Sequence, residues 1–233
     1  MTRKPNPEVA RMFDRIARTY DLLNRLFSMG IDRQWRNTAI RRLELKDGMN
    51  ILDCSAGTGD MALTALAFNP FVETVLYDPA QAMLLIADSK AGTVAPRQYR
   101  LVRGGAESIP FANESFDRFM VAFGIRNFSD LEGGLAELTR VLKKGGRGVI
   151  LEFTPERVRL VDRIFHWYMT RVMQPLGAWI SRDREAYSYL ARTVEAFSTS
   201  ERLIRIFSDV GLVCVENKRL SLGIARLFVL EKN

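Results

Sequence analysis

From Asn50 to Phe153, short and mostly apolar runs alternate with segments of helical spacing, and that alternation leaves few architectures open. NILDC, VETVLYD, QYRLV, FDRFMVAF and GVILEF have the length and bounding residues of strands. Between them, Gly57 to Phe68, Pro79 to Ala91 and about Asp130 to Leu142 read as helices, the last followed by a turn at Lys144-Gly145-Gly146. Buried strands separated by helices predict an α/β fold with a doubly wound, largely parallel sheet covered on both faces.

The flanks break this rhythm. Pro7 to about Leu43 carries Val9, Met12, Phe13, Ile16 and Ala17 at helical spacings, is interrupted near Ser28-Met29-Gly30 and resumes at Asp32. Residues 1–44 are therefore expected to form a helical preface. Residues 156–198 mix Phe165, Trp167, Tyr168, Met169, Met173, Trp179, Tyr187, Tyr189 and Phe197 with several arginines and predict a mostly helical insertion. A helix from Ser200 to Asp209 and two β-like runs, VCVENKRLS and IARLFVLEK, close the chain. Their short separation at Gly223 predicts an antiparallel hairpin on the sheet edge. A length of 233 residues suits one domain that contains both additions.

The sharpest local feature is the turn Ile51-Leu52-Asp53-Cys54-Ser55-Ala56-Gly57-Thr58-Gly59-Asp60, with Asp78 ending the next strand. Small residues let a ligand approach the backbone, and the following helix N-terminus presents unpaired N–H donors. An acid at the end of the second strand accepts hydrogen bonds from both hydroxyls of a ribose. The turn lacks a full G-x-G-x-x-G arrangement, which disfavours a dinucleotide. Carboxylates at Asp53 and Asp60 repel a diphosphate but suit a sulfonium or ammonium group, so a cationic nucleoside cofactor is expected.

Charge and cysteine content bound the partners. Residues 1–42 hold ten Lys or Arg against four acids, and so supply six of the seven net positive charges. That balance suits an anionic lipid, an anionic substrate or nucleic acid, or is simply a solvated face. No interleaved aromatic platform accompanies it, so nucleic acid is not expected. Cys54 and Cys214 are remote from each other and His166 is the only histidine, which predicts neither a disulfide framework nor a metal site. The polar start MTRKPNPEVARMFDR and the absence of a membrane-length apolar run predict a cytoplasmic protein with at most peripheral membrane contact.

The sequence resembles the class I S-adenosylmethionine-dependent methyltransferases. More closely it is similar to the quinone-biosynthesis C-methyltransferases that act on demethylmenaquinol or on 2-methoxy-6-polyprenyl-1,4-benzoquinol. The resemblance spans nearly the whole chain: Tyr20-Asp21-Leu22-Leu23-Asn24, Trp35-Arg36, the turn at Gly57-Thr58-Gly59-Asp60, Ala106-Glu107-Ser108-Ile109-Pro110-Phe111, Phe123-Gly124-Ile125-Arg126-Asn127, Leu151-Glu152-Phe153 and Tyr187-Ser188-Tyr189-Leu190. It implies a Rossmann-like seven-stranded sheet and S-adenosylmethionine (SAM) as cofactor. It places Tyr20, Asp53, Ser55, Gly57, Gly59, Asp78, Pro79, Met83, Gly105, Ala106 and Glu107 around that cofactor, with Asp78 on the ribose and the Ala106 N–H at the adenine edge. Ser55 stands where the wider superfamily often has Gly, and Gly105 where the closer family usually has Asp or Asn. The second departure removes a hydrogen-bond partner worth about 1 kcal/mol.

Acceptor chemistry follows from the same resemblance. Methylating a quinol ring carbon requires the neighbouring hydroxyl to lose its proton, so a base or an oxyanion-stabilising group must lie close by. Arg126 and Asn127 after the fourth strand are the foremost candidates, with Asp60 a further base and Glu152 either an anchor for Arg126 or a group acting through water. Arg126 paired to Asp130 or Glu152 as a simple loop brace is the competing reading. Tyr20, Asp21 and Asn24 are expected to form a lid, with a helix cap the alternative for Asp21. The aromatic insertion suits an isoprenoid tail, while Arg157, Arg159, Arg163, Arg171, Arg182 and Arg184 suit anionic lipid. A homodimer and a non-catalytic SAM-binding relative stay open.

Overall fold

The computed structural model describes residues 7–94, 98–154, 167–181 and 183–233. Helix α1 (Pro7–Phe27) buries Met12, Ile16, Leu23 and Phe27 along one face, and α2 (Asp32–Arg42) buries Trp35, Ala39 and Ile40. The turn between them runs through Met29 and Gly30, both in the left-handed region. The alternating core follows: β1 (Asn50–Cys54), α3 (Asp60–Phe68), β2 (Glu73–Asp78), α4 (Gln81–Val94), β3 (Tyr99–Arg103), β4 (Phe116–Ala122), α5 (Leu131–Val141) and β5 (Leu142–Glu152). Helices α6 (Gln174–Ser181), α7 (Arg184–Ala196) and α8 (Ser200–Asp209) precede a hairpin of β6 (Leu212–Leu220) and β7 (Ala225–Lys232).

The seven strands form one sheet in the order β3-β2-β1-β4-β5-β7-β6. β1 to β5 pair in parallel, and β7 inserts antiparallel between β5 and β6. The strand order reverses between β1 and β4, which opens a crevice beyond their carboxyl ends where such sheets take ligands. Leu52, Phe119, Ile150 and Phe228 lie in the core on one face of the sheet, and Ile51, Met120, Val149 and Leu227 in that on the other. A third cluster joins α1 to α4, α6 and α7 through Ile16, Phe27, Met83, Met173 and Ala186. Roofing of the sheet edge by the preface thus rests on apolar packing.

Three boundaries differ from the expected ones for local reasons. The first core helix begins at Asp60 because Gly57 and Gly59 have φ of +54° and +81°, which no right-handed helix accommodates. The second begins at Gln81 because the Asp78 side chain accepts the Ala80 N–H and holds the preceding residues in a turn. Strand β5 starts at Leu142, ahead of the expected glycine turn. Its register against β4 jumps from Phe116↔Leu142 to Arg118↔Arg147, so residues 143–146 bulge out of the strand. Phe165, His166, Arg157, Arg159, Arg163 and Arg182 lie outside the described residues. So does the first part of the expected insertion.

Gly148 in β5 faces the ring of Phe119, and a Cβ built there would stand 2.1 Å from the ring Cζ. Gly148→Ala is expected to cost roughly 1–3 kcal/mol through overpacking, read as a lower midpoint in equilibrium urea unfolding.

Candidate active site

Two clefts meet at the C-terminal edge of the sheet. The first, of about 650 Å³, is bounded by Ser55, Gly57, Asp78, Pro79, Met83, Gly105, Ala106 and Glu107, with Tyr20 and Phe13 of α1 above. Its floor is the turn after β1, whose tight course needs positive φ at Ser55, Gly57 and Gly59. Open space faces Gly57, since a Cβ there would meet nothing within 4 Å. Gly59 serves packing, because its Cβ would stand 3.0 Å from Leu76 Cδ2 and 3.1 Å from Ala87 Cβ. The Gly57 N–H donates to Asp78 Oδ2 at 2.9 Å, and the Ala80 N–H donates to Oδ1 at 2.8 Å. Burial raises the Asp78 carboxyl to about 6 in spite of these two donors. On the far wall, Tyr77 Oη lies 3.0 Å from the Gly105 carbonyl oxygen and 2.9 Å from that of Ser108, which fixes the loop before Ala106. Glu107 is buried and accepts the Ser129 N–H at 2.6 Å, so it braces that wall as well as lining it.

Helix α1 is fastened over this cleft by its acids. Asp14 Oδ1 accepts the Ala82 N–H in the first turn of α4 at 2.7 Å. Asp21 accepts from the Thr58 hydroxyl and, at 2.9 Å, from Lys90 Nζ. Asp21 lies in the interior of α1, so of its two sequence readings the roof position holds and the cap does not.

The second cleft, of about 920 Å³, is largely aromatic and apolar: Phe27, Trp35, Phe123, Phe153, Tyr168, Met173 and Tyr189 surround it. Phe13, Tyr20, Phe123 and Asn127 line both clefts and form the seam between them. Phe123 holds φ of +56° and stacks on Phe153 with ring centroids 4.5 Å apart, a strained placement for a bulky residue that the packing enforces. Arg126 brings the guanidinium to this cleft. Its Nη1 donates to Glu152 Oε1 at 2.5 Å, while its buried Nε has no protein partner. Glu152 is fully buried and also accepts the Phe153 N–H at 2.8 Å. Burial pushes its carboxyl up, and the facing Arg126 charge opposes that shift. The Tyr189 hydroxyl donates to Asn127 Oδ1 at 3.1 Å. Burial raises the pKa of both Tyr20 and Tyr189.

The structure brings together most of the residues expected from the sequence, but not all. Tyr20, Ser55, Gly57, Asp78, Pro79, Met83, Gly105, Ala106 and Glu107 line the first cleft, Arg126 the second, and Asn127 both. Asp53 lines neither cleft: it is buried beneath the turn, where Oδ2 accepts the Ala62 N–H at 3.0 Å and Oδ1 has no protein partner. Desolvation raises its carboxyl well above the usual range. Asp60 faces a separate basic cleft with Arg25, Arg33 and Arg36. Lys90 donates to it, and Arg36 with Lys90 lowers its pKa, which leaves it a poor base. Glu152 stands behind Arg126 as its anchor. The sequence reading did not assign Trp35, Phe153 or Tyr189 to the site. Tyr189 is expected from the sequence only as part of the aromatic insertion, and its partner Asn127 is 62 residues away.

An open glycine turn and a buried carboxylate at the next strand end fit a nucleoside cofactor such as SAM. Fold and crevice together define a class I SAM-dependent methyltransferase. The profile of the ubiE/COQ5 methyltransferase family matches residues 1–232, and the chain belongs to that family. It is 40% identical over 228 residues to the ubiquinone/menaquinone biosynthesis C-methyltransferase UbiE of Geotalea uraniireducens, covering 97% of this chain and 96% of that protein. It is 39% identical over 231 residues to the demethylmenaquinone methyltransferase of Bacteroides fragilis, covering 98% and 94%. Among solved structures, a SAM-dependent methyltransferase from Aquifex aeolicus superposes with a TM-score of 0.60 at 16% identity, over 84% of this chain and 88% of that one. The [4+2]-cyclase SpnF superposes with a TM-score of 0.73 at 14% identity, over 100% and 97%. These two structural likenesses establish the fold and leave the reaction to the site.

The Asp78 carboxyl yields a pH dependence. Ionised Asp78 is the better acceptor for ribose hydroxyls, so SAM affinity is expected to hold above about pH 6 and to fall below it as the carboxyl protonates. The fall approaches about tenfold per pH unit. Calorimetric titration across that value checks this, and Asp78→Asn should bind weakly with a flat profile. Tyr189→Phe, which removes the hydroxyl on Asn127, is expected to lower kcat about tenfold and leave the SAM dissociation constant unchanged.

Proposed function

We propose that this chain transfers the methyl group of SAM to a ring carbon of a reduced polyprenyl quinone precursor, with demethylmenaquinol as the favoured acceptor. The observation that carries the reading is the aromatic cleft, which meets the cofactor crevice at Phe13, Tyr20, Phe123 and Asn127 and holds the Arg126 guanidinium. Trp35, Phe123, Phe153 and Tyr168 offer faces wide enough for a bicyclic ring, which favours the naphthoquinol over a benzoquinol. The names of the relatives from Geotalea uraniireducens and Bacteroides fragilis point to the same chemistry.

SAM, when bound, supplies an electrophilic methyl carbon. The chain's own residues hold it by Asp78 at the ribose, Gly105 and Ala106 at the base, and Ser55 and Gly57 beside the methionine part, with Tyr20 above. Arg126, kept in place by Glu152, stabilises the negative charge on the ring oxygen that adjoins the reacting carbon once its proton has passed to water. A cation at close range lowers the pKa of such a ring hydroxyl by about 1–3 units, which raises electron density on that carbon. After the methyl group arrives, the proton on that carbon also leaves to water and restores the aromatic ring. Asn127, oriented by Tyr189, holds the ring oxygen. Asp32 is the only carboxylate among the described lining residues of the cleft, and it pairs with Arg36. Catalysis is therefore assigned to positioning and oxyanion stabilisation, with no general base assigned among these side chains. The preface and the helices after β5 belong to the same catalytic unit, since α1 roofs the cofactor cleft and α7 lines the acceptor cleft.

No helix among the described residues is long and apolar enough to cross a membrane. We assign the protein to the cytoplasmic side, with peripheral contact to an anionic membrane where a lipid-tailed quinol resides. A homodimer is compatible with this arrangement.

The test is incubation with labelled SAM and a reduced short-tail naphthoquinone or benzoquinone, with a ring C-methyl product expected from the first and a slower reaction with the second. Failure to methylate either quinol would overturn the assignment. Arg126→Lys keeps the partner of Glu152 but withdraws the fork from the ring oxygen, and should lower kcat about a hundredfold with SAM binding intact.

A further inference from the structure

Large apolar side chains stand exposed within two residues of lining residues of the aromatic cleft, two of them in turns whose chemistry selects against them. Met29 between α1 and α2 is 79% exposed, and Leu222 in the turn between β6 and β7 is 87% exposed. Their φ angles are +51° and +60°, in a region that favours Gly or Asn. Trp167 is a third such residue, 59% exposed. Each neighbours a lining residue of the cleft: Met29 follows Ser28, Leu222 lies two residues before Ile224, and Trp167 precedes Tyr168. Two hydrogen bonds join the segments that carry Trp167 and Leu222 to α1 and α2. Trp35 Nε1 donates to Ser221 Oγ at 2.9 Å, and the Tyr168 hydroxyl donates to the Phe27 carbonyl at 2.9 Å.

Exposed charge on the preface beside these residues is basic, and two of its arginines, Arg25 and Arg33, also line the separate cleft that holds Asp60. Between residues 18 and 33 the acids turn inward, Asp21 to Thr58 and Lys90, Asp32 to Ser28 and Arg36. Arg18, Arg25 and Arg33 are exposed over the same stretch. Exposed Leu22 and Leu26 extend the apolar surface from Met29 back along α1.

We propose that Met29, Trp167 and Leu222 form a rim that inserts into an anionic bilayer, with Arg25 and Arg33 on its headgroups, so that the cleft mouth opens directly into lipid. This rests on the reading of the acceptor as a lipid-tailed quinol and names the surface that meets its membrane. An apolar tail then moves from bilayer to cleft without crossing water, and insertion of the rim is driven by removal of its own apolar surface from water. Exposed apolar residues alone do not mark such a surface: Phe71, 68% exposed, precedes β2 at the opposite edge of the sheet, away from the cleft.

The experiment is binding of the full chain, without substrate, to vesicles of phosphatidylglycerol with phosphatidylcholine and to vesicles of phosphatidylcholine alone. Wild type and Phe71→Asp should bind the anionic vesicles alike, with Trp emission quenched by brominated acyl chains. The double variant Met29→Asp with Leu222→Asp should bind at least about tenfold more weakly. Aspartate tolerates positive φ better than Met or Leu, and an unchanged SAM dissociation constant verifies that the double variant is folded. Equal binding by all three proteins, or no binding of wild type to either vesicle, would overturn the proposal. So would conversion of a dimer into a monomer by the double variant with vesicle binding unaltered, which would make the rim a contact between copies. Methylation of a short-tail quinol in detergent-free buffer is scored separately, so that loss of the membrane assignment leaves the reaction assignment standing.

Discussion

The Gly57 N–H donates to the Asp78 carboxylate across the ends of β1 and β2, and the crevice takes its shape from that link. A strand end, a left-handed turn and a second strand end converge there because β1 and β2 are parallel neighbours beside the point where the strand order reverses. Burying a carboxylate is unfavourable unless donors meet it. Two backbone amides meet Asp78, yet burial outweighs them and raises its pKa to about 6, so further donors would stabilise the charged form. Ribose hydroxyls are donors of that kind.

A second buried charge organises the acceptor side. Arg126 and Glu152 pair in a desolvated position where loss of either partner would strand the other, a penalty of about 3–5 kcal/mol in comparable pairs. The pair leaves Arg126 Nε without a protein partner, and the rest of the guanidinium stands beside aromatic walls. Fixed positive charge in a cavity that is largely aromatic and apolar is worth more than the same charge in water, because little solvent screens it. In the proposed reaction the two clefts divide the work, with Asp78 below α1 for the ribose of the donor and Arg126 beyond Phe123 for an acceptor that gains negative charge.

Much of the site was legible because its residues lie close to strand ends, and strand ends follow from apolar patterning. Ser55, Gly57, Asp78 and Asn127 needed only the alternation of strands and helices to be placed at one edge. Asp60 shows the limit of that reasoning. It follows the glycine turn directly, yet the first turn of α3 carries its side chain towards Arg36 and Lys90, from α2 and α4, and away from both clefts. Asp53 likewise sits one strand position too deep to line the crevice. Tyr189 escaped assignment for the opposite reason, since nothing near it in the chain indicates that α7 delivers its hydroxyl to Asn127.

The sequence by itself determined the order of elements, the glycine turn with its distant acid, the hairpin at the sheet edge and the family. All of these depend on local spacing, on backbone conformations open to few residues, or on motifs read whole. Only the tertiary structure decided which carboxylates face ligand and which are consumed in ion pairs, and how the preface helix roofs the crevice through Asp14 and Asp21. It also decided that Met29, Trp167 and Leu222 stand exposed, each within two residues of a lining residue of the aromatic cleft. The physical reason is that a side chain's charge state and partners are set by whatever packs against it, and in this fold those neighbours come from helices far away along the chain.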